Sequence, residues 1–375
     1  MFDIAIIGAG ISGCSSAYFL TQSGLSVALI DESGIAAGGS GAAGAFVSPK
    51  FVKSGPVKDV SEAAFTYAMQ FYKEHFSDAT KFSELLHLAN SELSNDRVKY
   101  FKEHTTFTQA NTNEECFNLL TPYAKEFEHI TLKECALVDS HKVCQGLAKD
   151  ATFFKLHVNS VRYENGLYDV EGIEAKKVIL TTGAHKHLVN MPYFTPRAIF
   201  GHRINIKTST HNPVNIHQFV SISKSIDDDI IAIGATHDVH YNLLESDVAY
   251  DYEAGRAELL QRAQKSIALK DIEVLEDHIG MRSASIDHLP LVGAVVDAKK
   301  TVEKLPEILR GKKYNADEYE YFNNLYTING VGGYGFVLGP YLAQILCDHI
   351  VSNEVIDTRL LPSRFLRRYI KKEFL

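Results

Sequence analysis

Three glycines, Gly8, Gly10 and Gly13, stand at Gly-x-Gly-x-x-Gly spacing directly after the apolar run Ile4 to Ile7. An acid, Asp31, closes the next apolar run, SVALID, eighteen residues past Gly13. Residues of these types in this order can hold a dinucleotide. Gly8 makes a tight turn, Gly10 lets backbone approach a pyrophosphate, and Gly13 lets helix and strand pack closely. Amides at the helix start, around Ala9, Ile11 and Ser12, would face phosphate oxygens. Asp31, with Glu32 beside it, is placed to accept hydrogen bonds from a ribose diol.

These residues need a buried strand, a helix and a second strand. Ile4 to Ile7 reads as the first strand, CSSAYFLTQSG as a helix ending at Gly24, and SVALID as the second strand. The pattern is that of a strand–helix–strand unit, not of an isolated glycine turn. A glycine- and alanine-rich loop follows from Ile35 to Pro49, and helical periodicity dominates from about Val60 to Leu120. Cys135 to Asp139 reads as a short strand and HKVCQGLAKDA as a helix. The next stretch alternates like strands and carries the hairpin signal Glu164-Asn165-Gly166. Lys177 to Leu180 is another buried strand, feeding Thr181-Thr182-Gly183. From Ala198 to Asp238 the pattern is antiparallel, with a turn at Asp227-Asp228-Asp229, and Glu245 to Ile267 reads as helix. Leu325 to Ile328 is a strand, NGVGGYGF a second glycine loop, and GPYLAQILCDHIV a helix.

The 375 residues call for two domains. The fold class expected is α/β: a Rossmann-like nucleotide-binding domain over residues 1–58, 134–196 and 281–375. An inserted, largely antiparallel α+β substrate domain would cover 59–133 and 197–280. The chain has no apolar run of eighteen residues, so no membrane span is expected, and Asp3 with the phosphate-turn glycines argues against a signal peptide. A cytoplasmic location follows as an expectation. The five cysteines form no C-x-x-C pair and read as free, mostly buried thiols. A formal net charge of −8 argues against non-specific nucleic-acid affinity. The basic tail Arg364, Arg367, Arg368, Lys371 and Lys372 reads as the solvated face of a surface helix, ahead of an RNA contact.

Three features favour FAD over a nicotinamide dinucleotide. Gly39, Ser40, Gly41, Gly44 and Ala45 form a small-residue loop that suits a large planar ring. The run Thr181-Thr182-Gly183 ends a strand like the one that passes beneath the cofactor in flavoproteins, with Val158 near the adenine. The loop Gly330, Gly332, Gly333, Tyr334, Gly335 and Phe336 precedes a helix whose N-terminus would stabilise negative charge on a reduced ring. No second nucleotide-binding domain is read along the chain, so the substrate itself is expected to reduce the flavin.

At this point the residues resemble the glycine/D-amino-acid oxidase-like FAD enzymes over nearly the whole chain. A narrower resemblance is to the FAD-dependent oxidoreductase domain of the MnmC type, found in bifunctional tRNA-modification enzymes. It rests on SGAAGAFVSP, on VSISKSIDDDIIAIGATHD, on NGVGGYGFVLGPYLAQIL, and above all on Arg282-Ser283-Ala284-Ser285-Ile286-Asp287-His288-Leu289-Pro290-Leu291-Val292-Gly293. That resemblance implies oxidative removal of the carboxymethyl arm from carboxymethylaminomethyluridine at the tRNA wobble position, releasing glyoxylate. tRNA would be the partner. A separate protein would then methylate the product, because the methyltransferase half is missing from this sequence. Tyr334 stands where that family often carries an arginine. A free small amino acid (glycine, sarcosine or a D-amino acid) is the alternative substrate, and a flavin-bound RNA-binding module without turnover is the alternative of another class.

Arg282 is the candidate for gripping a substrate carboxylate through two parallel hydrogen bonds; the competing role is an ion pair with Asp287 or another acid. Tyr334 is the second candidate at the substrate, against a packing role. His288 reads as a structural histidine, no general base is nominated, and His202, His237 and His240 lack metal spacing, so no metal is expected.

Overall fold

The computed structural model describes every residue except Lys186, His187, Asp228 and Leu375, and of Phe374 only the backbone. Asp228, in the expected Asp227–Asp229 turn, therefore lies outside the described residues. The chain divides into two compact units: 1–38, 141–198 and 282–375 form the first, and 39–140 and 199–281 the second.

In the first unit, the strand Phe2–Ile7 pairs in parallel with Val27–Asp31 on one side (Ile4 with Val27, Ile7 with Ile30) and with Ile173–Leu180 on the other (Ile7 with Leu180). Tyr321–Asn329 continues the parallel order beside Ile173–Leu180, and Leu291–Val296 adds an antiparallel edge. Thr152–Lys155 closes the opposite end against Val27–Asp31. The hairpin Arg162–Glu164 and Leu167–Val170 turns through Asn165 and Gly166, both at positive φ, as a tight two-residue turn requires. Ile4, Ala5 and Ile6 are fully buried, and a strand buried on both faces must be apolar throughout. Ala5 and Ile7 join a core with Val178, Leu180, Leu291, Val295, Leu325 and Phe365.

The opening helix Ile11–Gln22 packs against the closing helix Gly335–Ser352. Two glycines permit it. A Cβ at Gly335 would stand 3.1 Å from Ile11 Cγ2, and one at Gly339 would stand 3.0 Å from Ile11 Cγ1. The tail is helical over Leu366–Phe374, but Arg364, before it, is not on a solvated face: its side chain is largely buried against Asp287. Arg368, Lys371 and Lys372 are the exposed cations of the tail.

The second unit is built on one sheet in the order Glu273–Ala284, Arg197–Lys207, Ile230–Gly234, Ser221–Ile222, Asn215–His217, Thr80–Leu88, His129–Val138 and Phe46–Val47. The helix Tyr252–Ser266 covers it through Leu259 and Ala263, against Ile204, Ile206, Ile231 and Ile233. Several expectations are corrected here. The stretch 60–120 is not helical throughout: Pro56–His75 and Glu92–His104 are helices, but Thr80–Leu88 is a strand, paired antiparallel with His129–Val138. The strand expected at 135–139 is the end of that longer His129–Val138 strand. The helix expected from Glu245 begins at Tyr252, because the Asp251 side chain accepts from the Ala254 amide and caps it there. Residues 39–58 and 134–140 group with the second unit, because Phe46–Val47 pairs with His129–Val138 in its sheet.

Among the described residues no helix is long and apolar enough to cross a membrane. All five cysteines are buried and unbridged. Gly339→Val would drive the two helices of the first unit apart at Ile11. A loss of about 1–3 kcal/mol in urea unfolding is expected, with the slope unchanged.

Candidate active site

The first unit gathers most of the expected site residues at the carboxyl ends of its parallel strands. Gly8 leaves the first strand at φ 107°, and a Cβ there would lie 2.4 Å from the Thr181 carbonyl oxygen. A Cβ at Gly13 would lie 1.9 Å from the Gly8 oxygen. Only glycine fits either position. The Thr181 hydroxyl donates to the carbonyls of Ile7 (3.0 Å) and Gly8 (2.8 Å), so the end of one strand holds the turn leaving its neighbour. Gly10 is the helix N-cap and brings no side chain to the first-turn amides. A backbone cradle at a helix start, closed to any Cβ, fits a pyrophosphate.

Asp31 ends the second strand with both oxygens engaged by backbone. Oδ2 accepts from the Ala9 amide at 2.8 Å, and Oδ1 accepts from Ser33 (2.9 Å) and Gly34 (3.0 Å). Asp31 thus ties the glycine turn to the second strand, while a carboxylate retains further acceptor capacity for a diol. Glu32 pairs with the exposed ring of His157, a partner that spacing did not indicate. That contact raises the His157 pKa. Val158 is half-buried against the unit's core.

The second glycine loop is held by one side chain. Asn329 Oδ1 accepts from the Ser283 hydroxyl and from the Gly330 amide (2.7 Å), and its Nδ2 donates to the Gly183 carbonyl at 3.0 Å. One amide therefore joins the Arg282 segment, the Thr181-Thr182-Gly183 segment and the closing loop. Gly183, Gly330 and Gly332 all take positive φ, and Val331 bridges to Ala284. A Cβ at Gly333 would lie 3.9 Å from Arg282 Cδ, so the arginine stem runs beside the loop. Burial lowers the Arg282 pKa, and burial pushes the Tyr334 hydroxyl up to about 12. Phe336 is buried at the head of the closing helix.

Asp287, the acid that competes with a substrate carboxylate for Arg282 in the sequence, is engaged by another arginine. It is held by Arg364, through Nε to Oδ2 at 2.9 Å and Nη2 to Oδ1 at 3.1 Å, and also accepts from Ser285 and from the Leu289 amide. Burial works to raise its pKa, but the Arg364 contact prevails and the net shift is downward. His288 is exposed at φ 63°, at the corner of this turn.

Gly39, Ser40, Gly41, Gly44 and Ala45 belong to the second unit. There, a Cβ at Gly280 would approach Gly39 Cα to 3.0 Å, Ala45 takes φ 46°, and Gly44 adjoins the Phe46 ring and Arg203. Arg203 was missed by sequence reasoning. It is a largely buried cation in an apolar strand; its Nη1 donates to Asn205 Oδ1 at 3.0 Å, its Nε has no partner among the described residues, and burial lowers it to about 10. His202 is fully buried against Asp277, and among the described residues no cluster of His, Cys, Asp and Glu could hold a metal.

Gly13→Ala is expected to destabilise the protein by more than about 2 kcal/mol and to abolish stoichiometric flavin on purification, read by thermal unfolding and the visible spectrum. Asp287→Asn removes a carboxylate whose pKa is depressed in the fold. The stabilisation it provides is present above the ordinary carboxylate range and is lost as pH falls from there down through the lowered value it has in the fold. The variant should melt lower at neutral pH and lose less further stability on acidification than the parent, in a melting-temperature series against pH.

Comparison with known proteins agrees with this arrangement. The family model for FAD dependent oxidoreductases matches residues 3–349. The chain is 25% identical over 440 residues to the tRNA 5-methylaminomethyl-2-thiouridine biosynthesis bifunctional protein MnmC of Pseudoalteromonas atlantica, covering 99% of this chain and 59% of that protein. It is 24% identical to the MnmC of Leptospira interrogans, covering 98% and 61%. The chain thus spans about three fifths of the length of these curated relatives. Glycine oxidase from Bacillus cereus superposes with a TM-score of 0.74 at 19% identity, over 95% of this chain and 96% of that one. Iminodiacetate oxidase from Chelativorans superposes with 0.70 at 20% identity, over 96% and 98%. The chain belongs to the DAO family of FAD-dependent oxidoreductases.

Proposed function

We propose that this flavoenzyme removes the carboxymethyl arm of carboxymethylaminomethyluridine, or its 2-thio form, at the tRNA wobble position. The observation that carries the reading is Arg282: a half-buried guanidinium, its stem running beside the second glycine loop, in the segment that ends in Asp-His-Leu-Pro-Leu-Val-Gly. The names of the MnmC relatives support the choice of substrate.

The arm is an N-substituted glycine, so it presents a carboxylate next to the carbon that reacts. FAD, when bound, supplies the two-electron acceptor for that carbon–nitrogen unit. The residues of this chain bind and orient. Arg282 would take the carboxylate by two parallel hydrogen bonds, strengthened by the low dielectric of its surroundings. Its own acidic neighbour Asp287 is already engaged by Arg364. Tyr334 stays a phenol, since burial holds its hydroxyl up to about 12, and so offers a hydrogen bond but no base at neutral pH. Loss of hydride from the carbon and of a proton from nitrogen yields the imine, and water then cleaves it to the aminomethyl nucleoside and glyoxylate. No side chain is assigned as general base. Residues Gly8 to Gly13, Asp31, Thr181 to Gly183 and Gly330 to Gly335 would contact the dinucleotide. Methylation of the product would be a separate reaction.

A second reading is oxidation of a free small amino acid such as glycine or sarcosine. The formal charge of −8 favours it, since a polyanionic RNA gains nothing from an acidic protein.

Nucleoside mass spectrometry of tRNA from a deletion strain separates the two. The first reading requires accumulation of the carboxymethylaminomethyl nucleoside, and an unaltered nucleoside profile would sink it. With the purified enzyme, Arg282→Ala should raise KM and lower kcat together, a loss in kcat/KM of about 10²-fold or more. An unchanged KM would eliminate Arg282 as the carboxylate anchor.

A further inference from the structure

The second unit holds a pocket of about 380 Å³, open to solvent and lined largely by exposed residues. Its lining includes Tyr241, Tyr250 and Tyr252, with Leu243, Asp247 and Ile279. The rings stand as walls at steep angles. Tyr250 and Tyr252 are 5.3 Å apart at 76°, and Tyr241 and Tyr250 are 5.6 Å apart at 48°. Phe200 backs them, edge-on to Tyr241 at 4.9 Å.

The cavity is organised from beneath and from its rim. At the base, the fully buried His202 ring accepts or donates at both nitrogens: Nδ1 meets the Tyr250 hydroxyl at 3.1 Å, and Nε2 meets Asp277 Oδ1 at 2.9 Å. Arg256 also grips Asp277, through Nε at 2.9 Å, which keeps that residue a carboxylate. His202 must then donate from Nε2 to Asp277, so its Nδ1 is an acceptor and Tyr250 donates to it. The Tyr250 oxygen is left with its lone pairs. Gly255 makes this contact possible: a Cβ there would lie 2.1 Å from the Tyr250 oxygen and 2.3 Å from His202 Nδ1. At the rim, the Tyr241 hydroxyl donates to the Val248 carbonyl at 3.1 Å, and Asp238 Oδ1 accepts from the amides of His240 and Tyr241. The loop is closed on itself by its own bonds.

The electrostatics have one sign. Among the described residues no lysine or arginine lines the pocket, and Asp247 contributes a carboxylate to it. Burial, and then Glu258, Asp238, Asp251 and Asp277, push the Tyr250 hydroxyl up to about 12, so it remains a neutral phenol. Aromatic faces set at angles to one another, a carboxylate at the edge and an oriented acceptor oxygen are the elements that receive a cationic amine. Phosphate-bearing ligands are disfavoured by the same carboxylates.

We propose that this cavity is a binding site for an aliphatic ammonium ion. The cation lies against the tyrosine rings, Asp247 supplies the counter-charge, and the Tyr250 oxygen accepts an N–H where the ligand has one.

The test uses the flavin-loaded protein and ligand-detected NMR titrations with methylammonium chloride and tetramethylammonium chloride at constant ionic strength. Neutral tert-butyl alcohol is the size control. Both cations should bind saturably and more tightly than the alcohol. Tyr252→Leu should weaken both by at least about fivefold. Asp247→Asn, at an exposed position that leaves the fold intact, should weaken both by about two- to fivefold. Tyr250→Phe should weaken methylammonium by about threefold or more while tetramethylammonium, which has no N–H, changes less than about twofold. Cation affinity no greater than that of the alcohol overturns the proposal. So does affinity that Asp247→Asn leaves unaltered, since the amine then binds elsewhere on the enzyme.

Discussion

The first unit depends on how closely backbone approaches backbone at the carboxyl ends of three adjacent parallel strands. Gly8, Gly13 and Thr181 meet there with no room for a side-chain carbon on either glycine. The Thr181 hydroxyl shares its hydrogen between the carbonyls of the turn at Ile7 and Gly8. A helix can then begin immediately after the turn, with Asp31 bracing Ala9 from the next strand. The dinucleotide-binding character of the protein is a consequence of that proximity, because amides point outward only where nothing else can occupy the space.

A second layer of polar contacts carries this order to the residues proposed to meet substrate. Asn329 connects Ser283, Gly183 and Gly330 through a single amide group, and Arg364 fixes Asp287 at the turn that follows Arg282. These groups are buried or partly buried and mutually satisfied, so a change in one unseats the others. Asp287, five residues past Arg282, is engaged by Arg364 through two hydrogen bonds. A guanidinium whose local carboxylate is engaged elsewhere is suited to a carboxylate brought by a ligand.

The second unit solves a different problem with similar means. Its sheet places charged and aromatic side chains among apolar strands, and two of them rest against glycine gaps. His202 lies between Tyr250 and Asp277 over Gly255, and Arg203 crosses Gly44 and Gly234. An acidic protein of a family of FAD-dependent oxidoreductases thus carries, within this unit, an aromatic and anionic pocket of its own.

The amino-acid sequence determined the elements whose partners are close along the chain. The Gly8–Gly10–Gly13 turn, the helix after it, Asp31 at the end of the next strand and the Asn165–Gly166 hairpin are local patterns, and each was legible because turn geometry and periodicity act within about thirty residues. The Asp-His-Leu-Pro segment and the second glycine loop were legible as signatures, which located Arg282 and Tyr334 without their surroundings. What only the tertiary structure decided were the contacts between distant segments. Thr80–Leu88 reads as part of a helical region until His129–Val138 pairs with it. Arg364 reads as a surface cation until it meets Asp287, and nothing near Asn329 in the chain announces Ser283 or Gly183. Periodicity reports which face of an element is buried; it carries no record of which distant polar group that face will find, because that choice is made by packing.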